Sequence, residues 1–250
     1  MTDLVTTLLM PFIIIFCRIG GCLMVVPGFS SVRVPVRIRL FTAIALSVAL
    51  APLVWSSLPR LSPGDPAFFY LLIATETIVG AFLGLLVRLL FAALEFIAAG
   101  AAMSMGFGTM MGTPVTEAEP QAAFGAFLSM AALVLFFIVN AHHAVIIGLV
   151  RSYAIIPADG IIEPARLLMR VGQRLNDAFL LVLRLGGPFL AYGILINLIV
   201  GLLNKLTPQI PIYFISLPYT LLGGLLIAYF AFPSMLSQFA AAVPDMGFFR

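Results

Sequence analysis

The sequence predicts an all-α integral membrane protein, and three observations predict that fold class. Hydrophobic residues make up 62% of the 250 residues and charged residues only 9%, whereas a soluble domain carries about a quarter charged residues. Several apolar runs exceed the roughly 20 residues that a helix needs to cross a bilayer. The strands of a membrane barrel alternate polar and apolar residues, and these runs do not, so they predict helices.

Apolar segments follow one another along the whole chain and leave no room for a soluble domain. The first four cover residues 4–26, 38–54, 68–90 and 91–105. The other three cover residues 122–150, 179–203 and 212–243, and glycine and proline are expected to break the last two. We therefore expect residues 1–250 to form one membrane domain that contains broken helices.

The positions of the basic residues predict the orientation of the chain. One group comprises Arg33, Arg37 and Arg39, and a second, in a polar connector at residues 151–176, comprises Arg151, Arg166, Arg170 and Arg174. Cytoplasmic loops of membrane proteins are enriched in arginine and lysine. Counting the segments then puts both groups in the cytoplasm, the N-terminus outside, the C-terminus in the cytoplasm, and the loop after residue 105 outside.

Several kinds of site chemistry find little support in the sequence. His142 and His143 are adjacent and face different ways on a helix, so a metal site is not expected. Cys17 and Cys22 face different sides of one segment and do not predict a disulfide. Ser104 with either histidine is compatible with proteolysis, but a GxSxG motif is absent. We expect no cofactor, no enzymatic activity and, with a small and dispersed net charge of +3, no nucleic acid partner.

Charged residues lie within or at the ends of the apolar segments: Arg18, Glu76, Arg88, Glu95 and Arg184. A charge at the centre of a bilayer costs a few kcal/mol even on a lenient scale. We therefore expect these residues to pair with other segments of the chain or with partner chains. Broken helices with buried ionisable groups are also typical of transporters, so a stand-alone proton- or solute-coupled transporter is an alternative.

A stretch rich in methionine and glycine, residues 103–121 (the Met/Gly stretch), separates the fourth and fifth segments. Glycine lets the backbone bend, and methionine adapts its shape to irregular surroundings. This composition favours a plug that seals a channel, formed by Met105, Gly106, Phe107, Gly108, Met110, Met111 and Gly112. The alternative is a helix end followed by an ordinary loop, with the methionines filling the core.

Short motifs follow one another in order along nearly the whole chain. They begin with Arg18-Ile-Gly, Pro27-Gly-Phe-Ser and Val34-Pro-Val-Arg37, and continue with Glu76-x-x-x-Gly80-x-x-x-Gly84, Glu95, the Met/Gly stretch and Asn140-Ala-His142-His143. The most specific motif is residues 207–218, in which Pro208, Gln209 and Pro218 match a Pro-Gln-aliphatic signature. Together these motifs resemble the FliR family of the flagellar and virulence type III export apparatus.

The resemblance implies a structural subunit of the flagellar type III protein export gate. Such a subunit helps form and seal the channel through which unfolded flagellar proteins pass the inner membrane. The resemblance also implies helical hairpins coiled about a central channel, with FliP-like and FliQ-like gate subunits and FlhB-like and FlhA-like export proteins as partners. The charges in the apolar segments would then pair across subunits. A virulence injectisome homologue of the same gate and the stand-alone transporter are the alternatives.

Overall fold

The computed structural model describes residues 9–31, 34–58, 66–106, 123–158 and 164–242, and the regular elements in these ranges are helices. In chain order they are α1 (Met10–Val25), α2 (Val36–Val54), α3 (Pro66–Ser104), α4 (Ala123–Ile138), α5 (Ala141–Ile155), α6 (Pro164–Leu206) and α7 (Ile212–Ala242). One 3-10 turn, Trp55–Ser57, follows α2. The predicted all-α fold class is confirmed.

Four of these helices are long and apolar enough to cross a membrane, namely α2 with its 3-10 turn, α3, α6 and α7. The pair α4 and α5 adds a fifth if it counts as one broken span, and α1 is a shorter apolar helix. The prediction of an integral membrane protein is confirmed by these lengths and compositions.

Helix α3 corrects the predicted segments at residues 68–90 and 91–105, because the structure joins them in one helix of 39 residues. At a rise of 1.5 Å per residue this helix is about 58 Å long, well beyond a hydrocarbon core of about 30 Å. The sequence 85–99 contains neither proline nor glycine, so nothing in it ends a helix. The predicted orientation requires two crossings here, and one unbroken helix supplies one.

The position of the helix break is a second correction. The predicted segment at 122–150 divides into α4 and α5, and Asn140 between them has a left-handed φ of 56°. Asparagine is one of the few residues that adopt this conformation readily. The segments expected to break at proline are instead continuous, since α6 runs through Pro188 and α7 runs through Pro218 and Pro233.

The described residues fall into two compact units. Unit 1 contains the chain up to Leu89 together with Asn140–Arg174, and unit 2 contains Leu90–Val139 and Leu175–Val243. In unit 1, α1 packs against α2 and against α3, with Ile14, Ile19 and Leu83 fully buried. Burial of these aliphatic side chains stabilises this unit.

The core of unit 2 is aromatic. The ring of Phe91 on α3 lies 5.6 Å from that of Phe136 on α4 and 5.4 Å from that of Phe239 on α7, both edge-to-face. All three side chains are buried, and such edge-to-face pairs are favoured by the charge distribution of the rings. The α6–α7 pair forms a helical hairpin, in which the hydroxyl of Tyr192 donates to the carbonyl oxygen of Thr220 at 2.6 Å.

Candidate functional site

Arg18, on α1, is fully buried in unit 1, and its charge is compensated there by Glu76 on α3. The Nε of Arg18 donates to Oε2 of Glu76 at 2.5 Å, and Nη2 donates to Oε1 at 2.6 Å. Glu76 is only 2% exposed. The two side chains therefore form a bidentate pair, in which the planar guanidinium matches the carboxylate.

The other donors of Arg18 reach the end of α5. Nη1 donates to Oγ of Ser152 at 2.9 Å, and Nη2 also donates to the carbonyl oxygen of Ile156 at 3.0 Å. The guanidinium carbon lies 3.9 Å from the ring centroid of Tyr153, which is a cation–π contact. Arg18, Glu76, Ser152 and Tyr153 (the Arg18 cluster) thus join α1, α3 and α5.

Close approach of α1 and α3 makes the ion pair possible. A Cβ atom at Gly80 would overlap the carbonyl oxygen of Arg18, and one at Gly84 would lie 2.6 Å from the carbonyl oxygen of Cys22. Gly80 and Gly84 follow Glu76 at intervals of four residues and therefore share a helix face with it. The motif Glu76-x-x-x-Gly80-x-x-x-Gly84 combines the acid and the small residues that bring it to Arg18.

Arg18 and Glu76 are two of the five charges singled out in the apolar segments, and the other three lie on the surface. Arg88 belongs to unit 1, whereas Glu95 and Arg184 belong to unit 2, and all three side chains are exposed. Within the part of the chain that the structure describes, none of these three forms an ion pair. Pairing of these charges with partner chains therefore stays a prediction.

The first two residues of the predicted plug lie at the end of α3. Met105 is fully buried in unit 2, and Gly106 has a left-handed φ of 84°. A pocket of about 60 Å³ adjoins Gly106, with Ser104, Asn197, Ser216 and Thr220 in its polar wall. The other predicted plug residues lie outside the described ranges: Phe107, Gly108, Met110, Met111 and Gly112.

The Pro-Gln-aliphatic motif forms the turn of the α6–α7 hairpin. Pro208 and Gln209 are exposed in the five-residue link, and Pro218 is exposed one and a half turns into α7. The link is closed by backbone bonds, from the amide of Thr207 to the carbonyl oxygen of Leu203 at 2.9 Å and from the amide of Ile212 to that of Ile210 at 2.7 Å. This motif therefore shapes the turn of the hairpin.

Sequence reasoning missed Ser152 and Tyr153 as members of the Arg18 cluster. They follow Arg18 by more than 130 residues, and no spacing rule connects positions so far apart. A buried arginine has five N–H donors, which is more than one carboxylate can accept. A polar residue near the end of another apolar helix was therefore the sequence signal that could have identified Ser152 as a partner of Arg18.

In the ranges described, no group of three or more His, Cys, Asp or Glu residues could hold a metal ion.

Comparison with known proteins gives a consistent family. The family of bacterial export proteins, family 1, matches residues 9–246. The chain is 30% identical to the flagellar biosynthetic protein FliR of Buchnera aphidicola subsp. Acyrthosiphon pisum, over 82% of this chain and 80% of that protein. It is 26% identical to FliR of Caulobacter vibrioides (85% and 84%) and 29% identical to FliR of Escherichia coli K12 (83% and 78%). With the family match spanning nearly the whole chain and the relatives covered over most of their length, this chain belongs to the FliR family of bacterial export proteins.

Proposed function

We propose that this chain is the FliR-like subunit of a flagellar type III protein export gate in the bacterial inner membrane. In this role it assembles with FliP-like and FliQ-like subunits, contacts FlhB-like and FlhA-like proteins, and helps form and seal the channel for unfolded flagellar proteins. Family membership and the apolar helices support a membrane-embedded subunit of the flagellar export apparatus. The relatives named above are flagellar proteins, which favours the flagellar over the injectisome form.

The observation that carries this proposal is the combination of exposed apolar helices and exposed charges in unit 2. Only 11% of the most apolar 18-residue stretch of α7 is buried inside the chain, and only 28% of the corresponding stretch of α6 is buried. Lipid alone would satisfy the apolar surface, but Glu95 and Arg184 lie on the exposed sides of α3 and α6. A charge facing lipid at membrane depth is costly, so both residues favour protein partners with complementary groups.

Glu95 and Arg184 face different neighbours. Helices α3 and α6 meet where a Cβ at Gly186 would lie 4.0 Å from the side chain of Ile97. Glu95 is two residues before Ile97, and Arg184 is two residues before Gly186, so each points about 160° away from this contact on its own helix. The two charges therefore diverge, and one partner cannot cover both from the same side. This supports a subunit packed between neighbours.

The Arg18 cluster disfavours the stand-alone transporter. That alternative uses Arg18 and Glu76 as groups that bind substrate or proton. Every nitrogen of the Arg18 guanidinium is instead engaged within unit 1, by Glu76, Ser152 and the carbonyl oxygen of Ile156. The cluster serves to hold three helices together, and it leaves Arg18 no donor nitrogen dedicated to a substrate.

We propose further that residues 105–112 of the Met/Gly stretch close the channel when no substrate passes. A conduit wide enough for an unfolded chain leaks ions unless something fills it, and a hydrophobic constriction excludes water. The filler must yield to many substrate side chains, which favours methionine and glycine over rigid rings. The buried Met105 supports a closure that is anchored at its start.

For orientation we propose that the N-terminus is outside and the C-terminus is cytoplasmic, with both basic groups in the cytoplasm. With α3 unbroken, this requires crossings by α1, α2, α3, α6 and α7, and an α4–α5 pair that returns to the side from which it entered. If the pair crossed instead, the two basic groups would lie on opposite sides, against the positive-inside rule. This count moves the loop after residue 105 to the cytoplasmic side.

The particle mass in mild detergent tests the proposed assembly. The chain is expressed with its native neighbours, carries an affinity tag, and is purified under conditions that preserve membrane complexes. A gate subunit elutes in a large particle with several different chains, identified by mass spectrometry. A monomer or small homo-oligomer that moves solute by itself would contradict the proposal in favour of the transporter.

A further inference from the structure

The end of α3 lies against two glycines of the α6–α7 hairpin, Gly193 and Gly224, and a third glycine, Gly223, lies against Tyr192 within the hairpin; these three glycines form the glycine seat. Each of these positions lies against a side chain that leaves no room for a Cβ atom. Met105 at the end of α3 is the most deeply buried residue of this contact, with no exposed surface. All of these residues belong to unit 2.

Gly224 contacts Met105 close to the backbone. A Cβ atom at Gly224 would lie 2.6 Å from Cβ of Met105 and 3.1 Å from its Cα. Rotating the methionine side chain moves neither of these atoms. Any residue larger than glycine at position 224 must therefore displace the backbone at Met105, since interiors are close-packed.

The other two glycines complete the seat. A Cβ atom at Gly193 would lie 2.9 Å from Oγ and 3.0 Å from Cβ of Ser104. A Cβ atom at Gly223 would lie 2.6 Å from the hydroxyl oxygen of Tyr192, which is fixed by its hydrogen bond to the carbonyl oxygen of Thr220. Helix α6 thus supports Ser104, helix α7 supports Met105, and Tyr192 holds the two supporting helices together.

The chain leaves α3 immediately after the seat. The amide of Met105 donates to the carbonyl oxygen of Ala101 at 2.9 Å. The amide of Gly106 donates to the carbonyl oxygen of Met103 at 3.2 Å, and this shorter-range bond tightens the last turn. Gly106 then adopts the left-handed conformation that commonly ends a helix. The seat and this turn together fix the position and the backbone conformation of Gly106, the last described residue before the gap.

We propose that the glycine seat is a positioning site, which holds Ser104 and Met105 so that the chain departs from α3 at Gly106 in one fixed direction. Gly224 positions Met105 and Gly193 positions Ser104, whereas Gly223 makes room for Tyr192 between the two supporting helices. The seat itself is independent of the proposed function. Its consequence, that the seat aims the start of the Met/Gly stretch at the channel, rests on the proposed closure.

Thiol accessibility at position 105 tests the seat directly. The test uses the full chain without Cys17 and Cys22, which carries either Met105→Cys or, as comparator, Met103→Cys. Met103 lies in the same turn and is 74% exposed. Both variants are labelled in detergent with N-ethylmaleimide. Met105→Cys is expected to react more than about tenfold more slowly, because a buried site reacts only through local opening. Adding Gly224→Ala to the Met105→Cys chain is expected to raise the labelling rate of Cys at position 105 to within a few-fold of that of Met103→Cys.

The control substitution is Gly201→Ala on α6, where a Cβ atom meets nothing within 4 Å. It is expected to leave the labelling rate of Met105→Cys unchanged. If Gly224→Ala prevents folding, Gly193→Ala replaces it. The nearest clash of Gly193→Ala is with the hydroxyl of Ser104, which can rotate, so the expected rise in the labelling rate of Met105→Cys is smaller. Equal labelling of Met105→Cys with and without the seat substitution overturns the proposal, as does labelling of Met105→Cys as fast as Met103→Cys in the chain with an intact seat.

Membrane permeability separates the seat from the closure. Membranes that contain the complex with Gly224→Ala are expected to let small ions pass, while the complex is recovered in normal amount. If thiol labelling rises and the membrane stays sealed, the glycine seat stands and the proposed closure fails. If labelling does not change, the seat itself is wrong, whatever the permeability.

Discussion

Arg18 and Glu76, 58 residues apart, form a bidentate ion pair in the interior of unit 1, with two N–O distances of 2.5 and 2.6 Å. Both side chains are almost completely buried. Desolvating two charges costs nearly as much as their attraction returns, so such a pair contributes little net stability but fixes which groups must meet. Here it fixes the positions of α1, α3 and the end of α5 relative to one another.

Removing the carboxylate leaves the buried guanidinium without its counter-charge. Glu76→Ala is expected to lower the free energy of unfolding by roughly 3–5 kcal/mol, measured by denaturant unfolding of the chain in detergent. The double variant Arg18→Met/Glu76→Leu removes both charges and is expected to recover most of this loss. A single variant as stable as the unchanged chain would mean that the pair does not hold the helices.

The close contact of α1 with α3 predicts a position-dependent effect of adding one methyl group. Gly80→Ala is expected to destabilise unit 1 by about 1–3 kcal/mol, because its Cβ atom overlaps the backbone of Arg18. Gly100→Ala on the same helix meets nothing within 4 Å and is expected to be neutral or slightly stabilising. Thermal unfolding of the two variants in parallel checks the difference, and equal effects would refute the contact.

The proposed orientation predicts which loops a membrane-impermeant thiol reagent reaches in intact cells. In a background without Cys17 and Cys22, cysteines at Ser31 and Ala165 are expected to resist labelling, since both lie in or beside the basic loops. A cysteine at Gln209, exposed in the α6–α7 link, is expected to react. Labelling at Ser31 and Ala165 with protection at Gln209 would reverse the orientation.

The proposed closure predicts a leak without loss of assembly. Deleting residues 106–112 is expected to let ions or small solutes pass, seen as conductance or growth inhibition, while native gels show normal recovery of the complex. An assembled complex with unchanged permeability would mean that another subunit supplies the seal and that the Met/Gly stretch is a loop.

Sequence reasoning recovered the class of the fold, but only Arg18 and Glu76 of the five charges that it singled out are buried within the chain, and it failed where distant contacts decide. The sequence predicts two segments that meet near Arg88, because a helix of about 20 residues is enough to cross a bilayer. A helix can nevertheless be longer than the bilayer is thick, and residues 85–99 lack a helix breaker, so the two segments form one helix. The segment at 122–150 was predicted unbroken but divides at Asn140, whereas the prolines of the last two segments do not break α6 or α7. The partners of Arg18 on α5 depend on tertiary packing, which leaves no periodic signal in the sequence.

Site-specific photo-cross-linking shows whether unit 2 packs between protein neighbours. A photoreactive residue replaces Phe96, beside Glu95 and 69% exposed, or Leu183, beside Arg184 and 49% exposed. In native membranes, cross-links from both positions to export-gate subunits are expected, with different contact sites for the two. If both positions yield only lipid adducts, while the chain is folded and present at its normal level, these faces lie against the bilayer and unit 2 does not pack between protein neighbours.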